Sequence, residues 1–424
     1  MKRTRNEVTN QRIEKISPHD LVVGIDIAKD RHVAQATDYR NRVLSRQALS
    51  FSNTEEGFLK LKRWIQEVQV RHQLTGLLIG MEPTGHYWFN LADWLLDQGM
   101  EVVLVNPVHT HRNKENRDNT PSKNDAKDAL TIADLVNRGL YTEYHPQEEH
   151  FERLKTVMSD REFWVTQQTT LANRIIRWID LYFPEFRQVF EEWNGVRALA
   201  TLRAFPLPRD LRGLSVDEVI AGWRKQGMKR CGGASGKAVA MRLLNCAANS
   251  IGNRRAIEEA RRDLRRLLDQ YEAISSMLEE MEEEVGQLLS EIPQAKLLRS
   301  LNGLGTIPIG AILGLAGDLR HYRHGRQLLR RAGLNLAERT SGKYKGQVKL
   351  SKRGDSTLRK HLYLAMLNLV QHHPDFKRWH ERNLRKGMKK MASIFKLMGK
   401  LARMVVGMVR HGETYRPEMH LTAA

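Results

Sequence analysis

A chain of 424 residues that is 41% hydrophobic and carries eight tryptophans holds enough apolar material for two or three packed domains, which excludes an intrinsically disordered protein. Its 69 Lys and Arg against 49 Asp and Glu leave a formal charge of +20, and an excess of that size calls for a polyanionic partner, because each neutralised phosphate releases counterions. With only Cys231 and Cys246 and no CxxC pair, neither a zinc site nor a disulfide framework is expected; the polar N-terminus and the absence of any run near the ~18 apolar residues of a membrane helix place the protein in the cytoplasm, on the nucleoid.

Residues 1–18 read as a flexible basic lead. Leu21–Ile27 is a β-rich apolar run carrying Asp26, hence a buried strand. His32–Thr37 and Arg42–Phe51 predict two more strands, with Asp38 and Asn41 in the turn between them. Asn53 or Thr54 caps a helix whose apolar face is Phe58, Leu61, Trp64, Ile65 and Val68. A short strand, Leu77–Met81, ends at Glu82, a helix spans His86–Gln98, and a strand spans Glu101–Val105. A basic loop, His109–Lys123, then leads to a helix over Asn124–Asn137. The order β-β-β-α-β-α-β-α predicts a mixed sheet with helices on its faces over residues 19–145.

Residues 146–294 read as helical. Phe151–Phe183 is amphipathic, Pro184, Pro206 and Pro208 punctuate the chain, and a basic, glycine-containing stretch at about 185–250 has no assignable pattern. From Arg254 to Ile292, Leu264, Leu267, Leu268, Tyr271, Ile274, Met277, Leu278, Met281 and Val285 recur at three- and four-residue steps. Such a seam predicts either a coiled coil that dimerises the protein or a long helix packed within its own chain. Residues 295–424 form a third, mainly α region with a basic tail.

The chemistry sits first in four acids. Asp26 lies on the first strand, Glu82 at the end of the fourth, and Asp125 and Asp128 three apart on one face of the closing helix. In this element order the first and fourth strands can be neighbours, with the last helix crossing above them. Clustered carboxylates raise one another's pKa, a conflict that a divalent cation removes. Mg²⁺ takes hard oxygen ligands, and a pair of such ions clamps both the attacking and the leaving oxygen of a phosphodiester. Mn²⁺ is the plausible substitute. Taken singly, each acid is equally a strand-end, turn or helix N-terminal residue.

Gly24-Ile25-Asp26-Ile27-Ala28-Lys29, Glu82-Pro83-Thr84-Gly85-His86-Tyr87, Val105-Asn106-Pro107 and Ser122-Lys123-Asn124-Asp125-Ala126-Lys127-Asp128-Ala129 resemble the N-terminal half of transposases of the IS110/IS1111 family. The resemblance implies an RNase H-like domain similar to the RuvC resolvase, and it places that family's DEDD set on Asp26, Glu82, Asp125 and Asp128. Farther on, Leu301–Gly305, Ala311–Gly314, Ala332-Gly333-Leu334, Ser341-Gly342, Leu350–Gly354 and Leu358-Arg359 resemble its second domain. By position, the family's nucleophilic serine falls on Ser341. The resemblance further implies a bridge RNA, encoded by the element and pairing with donor and target DNA, and a dimer or tetramer whose subunits share active sites.

Read by residue chemistry alone, Ser341 is a turn serine, with Thr340, Tyr344 and Ser351 as rival hydroxyls. A serine that attacks a phosphodiester keeps the bond as a phosphoserine link and can rejoin ends without ATP. Arg339, Lys343, Lys345, Lys352 and Arg353 are placed to hold the phosphate. Gly303-Leu304-Gly305 reads as a helix-hairpin-helix turn whose backbone N–H groups bind a DNA phosphate, or as a plain turn between helices. Phe376–Trp379 and Lys386–Lys390 mix aromatic and basic residues, suited to gripping a backbone and stacking on bases or to forming a solvated face. Two other functions fit part of this pattern: a junction resolvase that uses water as nucleophile, and a nucleic-acid-binding protein without catalysis.

Overall fold

In the computed structural model, which describes residues 5–113, 124–337, 340–341, 344–346 and 349–417, the N-terminal lead carries a helix, α1 (Arg5–Glu14). The helix is tied to the sheet beyond it: Lys15 pairs with Glu101 and Glu143, and the Arg12 guanidinium lies 5.3 Å from the Tyr141 ring. Next come β1 (Asp20–Asp26), β2 (Arg31–Thr37), β3 (Leu49–Ser52), α2 (Glu55–His72), β4 (Gly76–Met81), α3 (Phe89–Asp97), β5 (Val102–Val105), α4 (Pro107–Asn113), α5 (Asp125–Asn137) and β6 (Tyr141–Glu143). The expected strand over Arg42–Phe51 shortens to β3. Ahead of it Asp38 Oδ1 accepts from the N–H groups of Arg40 (2.9 Å) and Arg42 (2.8 Å), and a single bridge joins Thr37 to Val43.

These strands form one sheet in the order β3-β2-β1-β4-β5-β6. β1 pairs antiparallel with β2 and parallel with β4, β2 antiparallel with β3, β4 parallel with β5, and β5 antiparallel with β6. Three antiparallel strands continued by two parallel ones make the RNase H-like sheet. Leu21, Val23, Ile25, Ile79 and Met81 face the core that includes Phe58 and Leu61 of α2 and Leu91 and Leu95 of α3. Val22, Leu78 and Val103 face Ile132, Ala133 and Val136 of α5 on the other side. Burial on both faces is why β1 and β4 read as unbroken apolar runs.

The chain divides into two compact units, 1–146 and 147–424. The second is helical but for a small hairpin, and it is built on two long helices separated by a group of shorter ones. α6 (Glu149–Tyr182) is followed by α7 (Phe186–Val189), α8 (Val196–Ala204), α9 (Val216–Lys225), α10 (Ala234–Ala248) and α11 (Ile257–Glu291). α6 and α11 lie antiparallel. Ile175 and Trp178 share a core with Leu264 and Leu267 at one end, and Leu154 and Met158 share another with Val285 and Leu288 at the other. The apolar seam of α11 therefore faces α6 of its own chain. The 185–250 stretch forms the helical cap on the first end, centred on fully buried Trp223, whose Nε1–H donates to Thr201 Oγ1 (2.8 Å).

The second end is built by α12 (Pro293–Arg299), α13 (Thr306–Ala316), α14 (Gly325–Arg331), α15 (Ser356–His372), α16 (Pro374–Arg385) and α17 (Lys390–His411). Among the described residues no helix is long and apolar enough to cross a membrane.

Candidate catalytic carboxylates and the serine hairpin

Asp26 is the last residue of β1, and Glu82 follows the last residue of β4. The parallel register pairs Ile25 with Met81, so the two acids are the next positions along neighbouring strands. Alternation places Asp26 on the face of Val22 and Gly24, and Glu82 on the face of Leu78 and Gly80, the side that α5 covers. α5 rests directly on this pair of strands. A Cβ on Gly24 would come 2.1 Å from the Ala129 carbonyl oxygen and 2.6 Å from the Ala133 nitrogen, and one on Gly80 would come 2.4 Å from Val136 Cγ2. With Asn137 at the other end of α5 bonding to Thr37 and Asp38, the helix runs antiparallel to β1, and its first turn lies toward the carboxyl ends of β1 and β4.

That first turn holds Asp125, which is exposed, and Asp128, which is 5% exposed. Asn124 caps it, its Oδ1 accepting from the Ala126 N–H (3.0 Å), and the helix N-terminus favours both negative charges. Glu82 is held by its own turn, accepting from the Thr84 hydroxyl (2.9 Å). All four predicted acids thus share one end of the sheet. They do not close on a common point: among the described residues no group of three or more His, Cys, Asp or Glu side chains is spaced to hold a metal ion. Like charges kept apart are the expected resting arrangement of such a set, and four carboxylates are the donor chemistry of a hard divalent cation.

Sequence reading missed the residue that holds the turn after Asp26. His32, wholly buried, accepts the Ala28 N–H at Nδ1 (3.3 Å), lies edge-on to Phe51 and stacks on Phe58. Burial pushes its pKa below the usual histidine value, against a weaker upward pull from Asn53. A histidine opening a run of small and aliphatic residues was the available signal.

In the second unit the serine region is a hairpin between α14 and α15. β7 (Leu336–Ala337) pairs with β10 (Lys349–Leu350), and β8 (Thr340–Ser341) pairs with β9 (Tyr344–Lys345), all antiparallel. Ser341 lies opposite Tyr344, the last pair before the connecting residues. Arg339 and Lys343 lie outside the described residues. The base of the hairpin is a knot of the other predicted motif residues. Ser351 donates to Asn335 Oδ1 (2.7 Å), the Lys352 N–H to the Gly333 carbonyl (3.0 Å), and Arg359 Nη1 to the Ala332 carbonyl (2.8 Å). Lys352 takes a left-handed backbone (φ 52°), and Arg353 is exposed beside it. The Ser351 hydroxyl is therefore engaged in holding the base.

Gly303 and Gly305 occupy the turn between α12 and α13, with the Gly303 carbonyl accepting from Asn368 Nδ2 (2.8 Å) and Gly305 capping α13. The tail differs from expectation. Phe376 is wholly buried in the core, and Trp379 is covered by Lys400, whose Nζ sits 3.2 Å from the ring centroid, so neither ring is free to stack on a base. At i and i+3 on α16 both rings point inward, leaving the basic residues outside.

An RNase H-like sheet with acids at the ends of its two central strands, joined to a helical unit with a serine hairpin, defines the class of DEDD transposases. The comparisons specify it further: the DEDD transposase model of the IS110 group matches residues 23–184, and the model described as "Transposase IS116/IS110/IS902 family" matches residues 295–381. The chain belongs to the IS110/IS1111 family of transposases.

Among its relatives, the pilin gene-inverting protein of Moraxella lacunata is 29% identical over 140 residues, covering 33% of this chain and 41% of that protein. The chain thus spans about two fifths of the length of the Moraxella relatives it matches. The insertion element IS116 44.8 kDa protein of Streptomyces clavuligerus is 23% identical (82% of this chain, 84% of the relative), and the transposase for insertion sequence element IS1111A of Coxiella burnetii is 22% identical (93% and 91%). A solved RuvC from T. thermophilus aligns at a TM-score of 0.22 and 15% identity, covering 30% of this chain and all of that one.

Proposed function

We propose that the chain is the transposase of an insertion sequence that cuts and rejoins DNA, with Asp26, Glu82, Asp125 and Asp128 as its carboxylate set and Ser341 as its nucleophile. The observation that carries this reading is the Ile25–Met81 register beneath the first turn of α5, which gives four sequence-distant acids one end of one sheet. These side chains would hold a divalent cation, Mg²⁺ first and Mn²⁺ as its substitute, two ions to a site. When bound, the cation supplies Lewis acidity at the scissile phosphate.

The chain's own part is the displacement. Ser341 Oγ attacks phosphorus, the new Ser–O–P bond forms as the bond from phosphorus to a sugar oxygen breaks, and that oxygen takes the proton the serine gives up. Attack by a sugar hydroxyl of another DNA end reverses these changes and frees the serine, so joining needs no ATP. The engagement of Ser351 by Asn335 supports Ser341 over that rival. Arg339, Lys343, Lys345, Lys352 and Arg353 hold the phosphate, and the backbone at Gly303 and Gly305 contacts DNA without reading its sequence.

The partners are donor and target duplexes, a structured guide RNA that supplies sequence by pairing, and further copies of the chain in a dimer or tetramer that completes each site. The setting is the cytoplasm, at the nucleoid. The test is to incubate the full chain with its element-end DNA and Mg²⁺, denature, and map any protein–DNA link. A link on Ser341, lost in Ser341→Ala and in Asp26→Asn, is expected. Cleavage that survives Ser341→Ala would replace this reading with a water-using resolvase.

A further inference from the structure

The cap formed by residues 185–250 lies between the stretches matched by the two family models, and it borders a cavity that the recombination chemistry does not use. The cavity measures about 240 Å³ and sits where the end of α6 meets the segments 207–212 and 250–257. Its accessible apolar surface comes from half-buried Tyr182 and Ile257, with Leu207 and Pro208 buried in the wall behind them; Arg212 and Arg254 stand at its polar side with Arg209, and among the described residues no acid lines it.

The nearby acids are engaged elsewhere. Asp210 pairs with Arg261 (2.7 Å), Glu258 with Arg209 (2.7 Å), and Glu185 accepts from the Ser250 hydroxyl (2.5 Å) and the Ile251 N–H (3.0 Å). Among the described residues no ion pair neutralises Arg212 or Arg254. The wall is preformed. Gly252 lies so close to the end of α6 that a Cβ would come 2.1 Å from the Tyr182 carbonyl oxygen, and the Asn253 N–H donates to the Leu181 carbonyl (2.8 Å).

A volume of about 240 Å³ is below the roughly 300–1,000 Å³ of pockets for drug-sized ligands, which suits one ring system rather than an extended molecule. An aromatic and aliphatic surface beside two uncompensated guanidinium groups matches a molecule that is flat and apolar at one end and anionic at the other. We infer that this cavity takes a single unpaired nucleotide, its base against Tyr182 and Ile257 and its phosphate on Arg212 and Arg254. A base locked in a duplex cannot enter, so the site selects loops, bulges or frayed ends. The inference rests on the reading of the chain as a nucleic-acid-handling protein, and it concerns residues outside both proposed catalytic regions.

The test uses the full chain and three fluorescent probes at fixed salt: an RNA hairpin with a single-stranded loop carrying 4-thiouridine, a DNA hairpin of the same sequence carrying 4-thiothymidine, and a blunt duplex. Removing the two cations by R212Q/R254Q, or the ring by Tyr182→Leu, should weaken hairpin binding about tenfold each, the scale of one lost stacking or charge-assisted phosphate contact, and blunt-duplex binding much less. Photo-crosslinks should map to Tyr182 or its cavity neighbours, and whichever hairpin crosslinks names RNA or DNA as the source. Because the Tyr182 ring also packs at a tilt against Trp178 (centroids 5.1 Å apart), the Arg pair is the fold-preserving variant. Equal losses on hairpin and duplex, or crosslinks only outside the cavity, would overturn the inference. Asp26→Asn, with cleavage disabled, should leave hairpin binding and crosslinking intact, so failure of the pocket and failure of the catalytic reading are told apart.

Discussion

Replacing Gly24 by Ala tests how the acids are assembled. The new Cβ would stand 2.1 Å from the Ala129 carbonyl oxygen and 2.6 Å from the Ala133 nitrogen, both backbone atoms of α5, where ordinary contacts begin near 3.4 Å. No side chain can turn aside, so the helix must move away from β1 by about 1.3 Å, the difference between 3.4 and 2.1. Overpacking of this kind costs about 1–3 kcal/mol, which in a protein unit of ~150 residues lowers Tm by roughly 2–4 °C for each kcal/mol. The same displacement carries Asp125 and Asp128 away from Asp26 and Glu82, and a shift near 1 Å in a reacting constellation costs about 100-fold in rate.

Calorimetry and single-turnover cleavage of element-end DNA give the two numbers, with Gly195→Ala as the control. Gly195 has an ordinary backbone (φ −64°), and its nearest neighbour to a new Cβ is Glu192 O at 3.5 Å. Full cleavage by Gly24→Ala at unchanged Tm would refute the argument that α5 sits on this glycine to set the acids.

Three further outcomes are expected. Gly407, inside α17 with nothing within 4 Å of where an added methyl would stand, should accept Ala with a gain of about 0.5–1 kcal/mol, read as a higher urea midpoint. The depressed pKa of His32 leaves stability full above its ordinary value of 6.5 and loses it as pH falls from there toward the folded-state pKa; denaturant titrations across that range should show a shallower loss in His32→Phe than in the parent. Ser351→Ala removes the bond to Asn335 and should lower stability by about 1 kcal/mol, yet leave the covalent DNA link in place, whereas Ser341→Ala removes the link and leaves Tm unchanged; the reverse pattern would make Ser351 the nucleophile.

The strands that carry the proposed site were legible because they are buried on both sides: Leu21–Ile27, which carries Asp26, and Leu77–Met81, which runs into Glu82, could hardly be anything else. Asn124 followed by Asp125 and Asp128 is a helix start readable from capping chemistry alone, and the structure begins α5 at Asp125. β6 was not legible. Tyr141–Glu143 is three residues at a sheet edge, with one buried side chain, and its partner β5 lies more than thirty residues back. α1 was hidden because its residues are polar, and what orders the lead is pairing with Glu101, Tyr141 and Glu143, far along the chain.

The 185–250 stretch hid for another reason. Apart from α10 its helices are short, and their caps lie among glycines and prolines that read as linker, although Ser215 and Glu218 form a complete capping box with the Ser215 hydroxyl accepting from the Glu218 N–H (3.3 Å). In α11 the apolar period is unmistakable, but a period names no partner, and only the fold shows α6 opposite. The aromatic residues of the tail were misread because spacing of i and i+3 serves a core and a base-stacking face alike.

Asp26, Glu82, Asp125 and Asp128 are proposed to act as one divalent-cation site. Mn²⁺ binding to the full chain, followed by electron paramagnetic resonance of the free ion, measures this without any DNA or turnover. Saturable binding that weakens at least about tenfold in both Asp26→Asn and Glu82→Gln is predicted, since each removes one charged oxygen ligand. Binding of equal strength in parent and variants, or none in the parent, would contradict the account.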